Sequence, residues 1–230
     1  MSGKRRYGDP CGIARGLDIV GERWALLIVR ELLLGPRRFT DLRDSLVGAS
    51  PNVLSQRLDD LQRAGVVQRH RLPPPAASWV YELTAWGYEL ENVLLAMARW
   101  GSQSAGVAEH ELSPRALLIA MRTTYAPSGS GDAVGRFELH IDDERFEVAT
   151  GHGSIKVAAG RVPAADAVIS SASDVLSAVI FGDLTLADAL RSGALTIDGD
   201  GNAAAALLAS FRRPQLAAAR AQQPARRSDR

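Results

Sequence analysis

The stretch from Glu22 to Thr84 carries a fixed succession of chain signals, and that succession sharply limits the folds open to it. Trp24, Leu27, Ile28, Leu32 and Leu34 recur at nearly 3.6-residue spacing and predict a core helix over 22–34, stopped by Gly35-Pro36. Arg37-Arg38 form a basic turn. Phe39-Thr40-Asp41-Leu42 then opens a short helix, with Leu42 and Leu46 four apart and Gly48 at its end. Ser50 stands where an N-cap is needed, and Pro51 at the first helical position, where its missing N–H costs nothing. Leu54, Leu58 and Leu61 give this third helix an inward stripe and leave Asn52, Ser55, Gln56, Asp59 and Arg63 outside.

Gly65 closes that helix, and two alternating segments follow, Val66 to Arg71 and Trp79 to Thr84, joined through Pro73-Pro74-Pro75. They predict a hairpin. Helix, short helix, polar helix and hairpin in this order predict a winged helix-turn-helix. A helix whose exposed first turns carry Asn, Ser, Gln and Arg can donate to and accept from base edges, while basic groups beside it can meet phosphate. The candidate DNA contacts are Arg37, Arg38, Thr40, Ser50, Asn52, Ser55, Gln56, Arg57, Arg63, Arg69 and Arg71. Solvated helices are polar on one face without binding anything, and exposed Arg on a hairpin is equally common, so the order of the pieces carries the reading.

The formal charge of +1 conceals an asymmetry. Residues 1–104 carry 14 Lys and Arg against 11 Asp and Glu, residues 105–211 carry 7 against 14, and residues 212–230 carry 6 against 1. Phosphate is bound by local basic surface, so near-neutrality of the whole does not oppose a nucleic-acid role, but it implies that only part of the chain touches DNA. Cys11 is the only cysteine, which excludes an intramolecular disulfide framework. No stretch approaches 18 uninterrupted apolar residues, and Met-Ser-Gly-Lys-Arg-Arg leads into no signal-type apolar core, so the expected location is the cytoplasm.

The run Cys11-Gly-Ile-Ala-Arg-Gly-Leu-Asp-Ile-Val-Gly-Glu-Arg-Trp24, then Ala25 to Phe39, then Ser50-Pro51 through Leu54-Ser55-Gln56-Arg57-Leu58, resembles the HxlR family of bacterial transcription regulators, relatives of MarR proteins. The resemblance covers about residues 10–103. It implies a homodimeric winged helix on operator DNA, with helix 50–64 in the major groove and the wings tracking the backbone. Two features depart from the family pattern: Asn52 where a basic residue is usual, and Asp59-Asp60 on a helix that is usually more basic. Phosphate contact would then rest on the arginines named above or on Lys4-Arg5-Arg6.

Helix 85–101 carries an apolar stripe of Trp86, Leu90, Val93, Leu94, Met97 and Trp100, broad enough for a helix partner. The resemblance implies that it pairs with the first helix across a dimer axis. It also implies a possible redox role for Cys11, which stands before a helix start and near Arg15; a small residue at a helix entry is the plainer alternative.

After a polar junction at 103–111 the composition shifts. Ser113-Pro114 starts a helix with Leu117, Leu118 and Met121, a loop follows at 127–131, and Phe137, Leu139 and Ile141 alternate before the Asp142-Asp143-Glu144 turn returns Phe146 and Val148. Ile155 and Val157 come next, then a strand at 167–169, a helix at 174–181 capped by Ser173, a helix from Thr185 to Gly193, a strand at 195–197 and an Ala-rich helix. The segments Asp174 to Leu184 and Asp188 to Asp200 are similar to sterol-carrier-protein-like domains over about residues 112–212. That similarity implies an apolar tunnel between sheet and helices, with Leu118, Phe137, Leu139, Phe146, Val179 and Phe181 as candidate lining for a hydrophobic effector. Each of these also fits an ordinary core. The tail, 213–230, is basic and reads as disordered.

Enzymatic patterns fit poorly. His70, His110, His140 and His152 lack metal-ligand spacing, and Asp198-x-Asp200-x-Asn202 would place Ala203 and Ala209 where a calcium loop needs Gly and Glu, so a turn and helix cap explain it better. No Gly-rich phosphate loop stands between strand and helix. The expectation is an α+β protein without enzymatic activity, cofactor or metal: a winged helix-turn-helix over 1–104 and a sterol-carrier-like domain over 112–212, acting as a homodimeric regulator of double-stranded DNA. The competing expectation is a hydrophobic-ligand carrier or enzyme-accessory protein that keeps the winged helix as a dimerisation scaffold.

Overall fold

The computed structural model describes residues 6–104, 110–127 and 134–213 and divides into two compact units, Met1–Leu94 and Leu95–Arg230. The expectations for Lys4-Arg5, for loop positions 128–131 and for the tail beyond Arg213 lie outside the described residues.

The N-terminal unit begins with α1 (Gly12–Val20) and α2 (Ala25–Leu32). The apolar spacing predicts a start at Glu22, but Trp24 adopts φ +78°, a left-handed conformation that a helix interior does not accept, so α2 begins at Ala25. Arg23 stacks its guanidinium 5.1 Å from the centre of the Trp24 ring. In α3 (Phe39–Ser45) the Asp41 carboxylate accepts the Arg38 N–H at 3.0 Å and so satisfies one donor at the helix start. In α4 (Pro51–Arg63) the Ser50 hydroxyl accepts the Val53 N–H at 3.3 Å, while Leu54, Leu58 and Leu61 are completely buried. Gly65, at φ +77°, turns the chain out of the helix.

Strands β1 (Val67–Arg71) and β2 (Trp79–Leu83) pair antiparallel with Arg69 opposite Tyr81 and Arg71 opposite Trp79. Arg37 joins them through a bridge: its N–H donates to the Tyr81 carbonyl at 2.9 Å, and the Tyr81 N–H returns to the Arg37 carbonyl at 2.7 Å. The helix expected over 85–101 is two pieces, α5 (Ala85–Tyr88) and α6 (Leu90–Gly101). Thr84 caps the first by accepting the Gly87 N–H at 3.1 Å and donating to the Gly65 carbonyl at 2.7 Å. Gly87 packs against backbone so closely that a Cβ there would lie 2.2 Å from the Val66 carbonyl oxygen. This fixes α5 against the base of the wing.

The second unit starts within α6. It contains α7 (Pro114–Thr124), β3 (Gly135–Ile141), β4 (Glu144–Gly151), β5 (Ser154–Ala159), β6 (Ala167–Ser171), α8 (Ser173–Phe181), α9 (Leu186–Ser192), β7 (Leu195–Gly199) and α10 (Gly201–Leu208). The sheet order is β5-β4-β3-β6-β7, antiparallel except for the β3–β6 pair. Alternation puts Phe137, Leu139 and Ile141 on one face, and the register sets Leu139 beside Phe146 and Ile169, with Ile197 beyond. The buried Leu117, Leu118, Leu176, Ala189 and Leu207 of the four helices complete this apolar layer. On the other face Glu138, buried on β3, accepts the Val162 N–H at 2.8 Å and bonds His140 Nε2 at 2.6 Å, so the β5–β6 connection is held onto the sheet. Helix α8 starts at Ser173 with Ala172 at its cap position rather than with Ser173 as the cap, whereas Asp200 caps α10 by accepting the Asn202 and Ala203 N–H groups.

Candidate nucleic-acid interface

Ser50-Pro51 places the start of α4 at the surface and the leucine stripe beneath it. Asn52, Ser55 and Gln56 are therefore exposed on its first two turns, where their amide and hydroxyl groups offer both donors and acceptors. Ser50 is exposed as well, although its hydroxyl already accepts the capping bond. Thr40 is exposed near the start of α3 and donates to Asp41 at 3.3 Å.

The arginines divide into three kinds. Arg37, expected at the phosphate-facing surface, is instead buried: its backbone is drawn into the bridge with Tyr81, and its guanidinium donates to the Ser45 hydroxyl at 2.8 Å and to the Asp41 carbonyl at 3.3 Å. It braces α3 against the wing. Arg57 and Arg63, on α4, both pair with Asp60, and Arg57 also lies 3.7 Å from Glu22. Asp60 further accepts from the Gln56 amide at 3.2 Å, so one carboxylate holds three of the expected DNA-contact side chains.

The third kind sits on the wing and its root. Arg38 donates to the Ser78 hydroxyl at 3.1 Å, Arg71 donates to the Ala77 carbonyl at 3.0 Å, and Arg69 lies over the rings of Trp79 and Tyr81. All three are exposed, and among the described residues none is paired with a carboxylate. Their partners orient the guanidinium groups and leave their charge intact. Ser78, Trp79 and Asp60 were not singled out from the sequence as partners. The β1–β2 register, which sets Arg69 and Trp79 on one face, is the signal that links Arg69 to Trp79.

A second group of exposed apolar residues lies in the N-terminal unit: Trp86 of α5 and Val93 of α6 are exposed, and so are Ile13 and Leu17 of α1. In the part of α6 that belongs to the second unit, Met97 and Trp100 are exposed, Trp100 to 77%. Gly16, Ile19, Val20, Val66, Trp86, Leu90 and Val93, together with Glu89, line a largely apolar groove of about 240 Å³. Leu94, expected on the same outward stripe, is buried and faces its own core. Cys11 is exposed at the cap position of α1.

Of the candidate effector-lining residues, Leu118, Phe137, Leu139 and Phe146 are fully buried within the sheet–helix layer, and Val179 and Phe181 of α8 are half-buried. Among the described residues no group of three or more His, Cys, Asp and Glu could hold a metal ion, and no helix is long and apolar enough to cross a membrane.

Residues 19–109 match the HxlR-like helix-turn-helix family. An HTH-type transcriptional regulator of Synechocystis sp. is 38% identical to the chain over 41% of its length and 70% of the relative's. The chain belongs to the HxlR-like helix-turn-helix family. Two further relatives are HTH-type transcriptional regulators of Bacillus subtilis. YvaP is 36% identical over 39% of this chain and 82% of its own, and YodB 33% identical over 37% and 77%. To the HxlR-like half is joined a second module, since residues 130–211 match the SCP-2 sterol transfer family. The HxlR-like part is thus a winged helix-turn-helix of the transcription-regulator kind, with β1–β2 as the wing.

Proposed function

We propose that the protein is a DNA-binding transcriptional regulator that acts as a homodimer and whose SCP-2-like domain senses a small hydrophobic effector. The observation that carries the DNA reading is the exposed Asn52, Ser55 and Gln56 at the start of α4, together with the exposed Arg38, Arg69 and Arg71 on the wing and its root, none of which is paired with a carboxylate among the described residues. Neutral groups with both donors and acceptors suit base edges, and cations without an acidic partner suit phosphate. The dimer reading is supported by the exposed apolar stripe of Trp86, Val93, Met97 and Trp100, since large apolar patches on soluble proteins mark interaction surfaces. A second copy would bury it and place two reading helices about one DNA turn apart.

The effector reading is supported by the match of residues 130–211 to the SCP-2 sterol transfer family and by the apolar layer between sheet and helices. An effector that binds one relative arrangement of the two reading heads better than another changes operator affinity by that difference. The redox reading of Cys11 is supported by its exposure at the cap position of α1, and an unchanged response of Cys11→Ser to peroxide or quinone removes it.

One observation favours the carrier reading: α4 has no net charge, because Arg57 and Arg63 are offset by Asp59 and Asp60. Selection of bound fragments from genomic DNA by the purified protein separates the two. Enrichment of a sequence with two inverted half-sites supports the dimeric regulator; failure to enrich any sequence, together with stabilisation by a long-chain fatty acid or sterol, supports the carrier.

A further inference from the structure

The distribution of charge between α4 and the wing has a cause that can be assigned to one residue. Asp60 is nine-tenths buried, so its carboxylate is held in place beneath the outer surface of α4. Its two oxygens receive the Arg57 and Arg63 guanidinium groups and the Gln56 amide. Positions 56, 60 and 63 lie on one helical face, at spacings of four and three, which is what lets a single acid collect them.

We infer that Asp60 is a specificity-determining residue: its carboxylate engages both arginines of the reading helix and, with Asp59, offsets their charge, so that α4 contributes base contacts with little phosphate attraction, and the wing supplies that attraction. The inference rests on the DNA-binding reading of the winged helix. A reading helix with free cations is attracted to every duplex alike, because phosphate contacts carry no sequence information. With Arg57 and Arg63 held by Asp60, sequence-independent attraction falls on Arg38, Arg69 and Arg71, whose partners are a hydroxyl, aromatic rings and a backbone carbonyl. Asp60 also orients Gln56, one of the base-reading side chains, so its removal strengthens the indiscriminate part of binding and loosens the discriminating part.

Salt dependence reads this directly. Each phosphate neutralised adds about 0.9 to the slope of log affinity against log salt. The full-length wild type, Asp60→Asn and Arg63→Ala are titrated with a 30-base-pair duplex of random sequence and with a duplex selected by the wild type, at 50–200 mM salt. Asp60→Asn is expected to bind the random duplex more tightly, with a slope steeper by about one to two; over that fourfold range of salt it loses about four- to sixteenfold more affinity than the wild type. Its preference for the selected duplex is expected to shrink. Arg63→Ala is expected to leave the slope unchanged.

A folded Asp60→Asn with the wild-type slope overturns the inference, and so does an Arg63→Ala slope shallower by about one, because Arg63 would then be contacting phosphate. Should Asp60→Asn fail to fold, Arg63→Ala alone decides. Absence of any wild-type preference for a selected duplex overturns the regulator reading instead, while the random-duplex slopes still test the charge assignment. Failure of the wild type to bind either duplex at 50 mM salt overturns both.

Discussion

The guanidinium carbon of Arg69 lies 5.0 Å from the centre of the Trp79 ring and 5.6 Å from that of Tyr81, so two aromatic faces on β2 hold one cation of β1 at the exposed face of the wing. Such a stack is worth about 0.5–1 kcal/mol at an exposed site and leaves the charge free for phosphate. Trp79→Ala is expected to weaken DNA binding about two- to fivefold, the factor to which that energy corresponds, and Trp79→Phe to recover most of it. Anisotropy titrations of the two variants check this; equal weakening by both contradicts the stacking role.

The exposed apolar stripe predicts a dimer at micromolar concentration. Val93 is half-exposed and Trp100 more so, so acidic substitutions there leave the protomer core untouched. Val93→Asp and Trp100→Asp are expected to sediment as folded monomers where the wild type sediments as a dimer. A wild-type monomer at these concentrations contradicts the proposed assembly.

The Ser50 hydroxyl accepts the Val53 N–H at the start of α4. Ser50→Ala is expected to cost about 0.5–2 kcal/mol, measured by urea unfolding, and to loosen the turns that carry Asn52 and Ser55. Ser50→Asp restores a cap, and stability close to wild type is expected.

Glu138 gives the C-terminal unit a pH dependence. The Val162 N–H, and after it the hydrogen bond from His140, hold its carboxyl below the usual range for Glu. Folding therefore favours the ionised form: the stabilisation is present above the ordinary carboxylate range and is lost as pH falls through the lowered value. Glu138→Gln is expected to lower stability by about 1–3 kcal/mol at neutral pH, through loss of hydrogen bonds to a buried carboxylate. The gap from wild type is expected to narrow in acid. A gap that widens with falling pH contradicts the assignment.

Local signals predicted the elements that position the site. Ser50-Pro51 with Leu54, Leu58 and Leu61 was enough to place α4 and its exposed face, because cap and stripe are written within one helix. Features that depend on partners distant in the chain were not legible. Arg37 reads as a basic surface turn, but its pairing with Tyr81 buries it. The apolar spacing at 22–34 contains no mark of the left-handed Trp24 that delays α2. The stripe over 85–101 hid the break after Tyr88, where Gly87 must fit against the Val66 carbonyl, and it put buried Leu94 on the outward face. Asp59-Asp60 was legible as an oddity of charge, but that Asp60 rather than Asp59 collects Gln56, Arg57 and Arg63 required the structure.

The exposed polar start of α4 predicts that the winged helix reads DNA sequence. Fluorescence anisotropy with the selected duplex and a scrambled duplex of equal length, across a salt series, is the measurement that decides it. A preference of about a thousandfold or more that persists as salt rises is the expected result. Equal, weak binding to both duplexes that salt abolishes would contradict it.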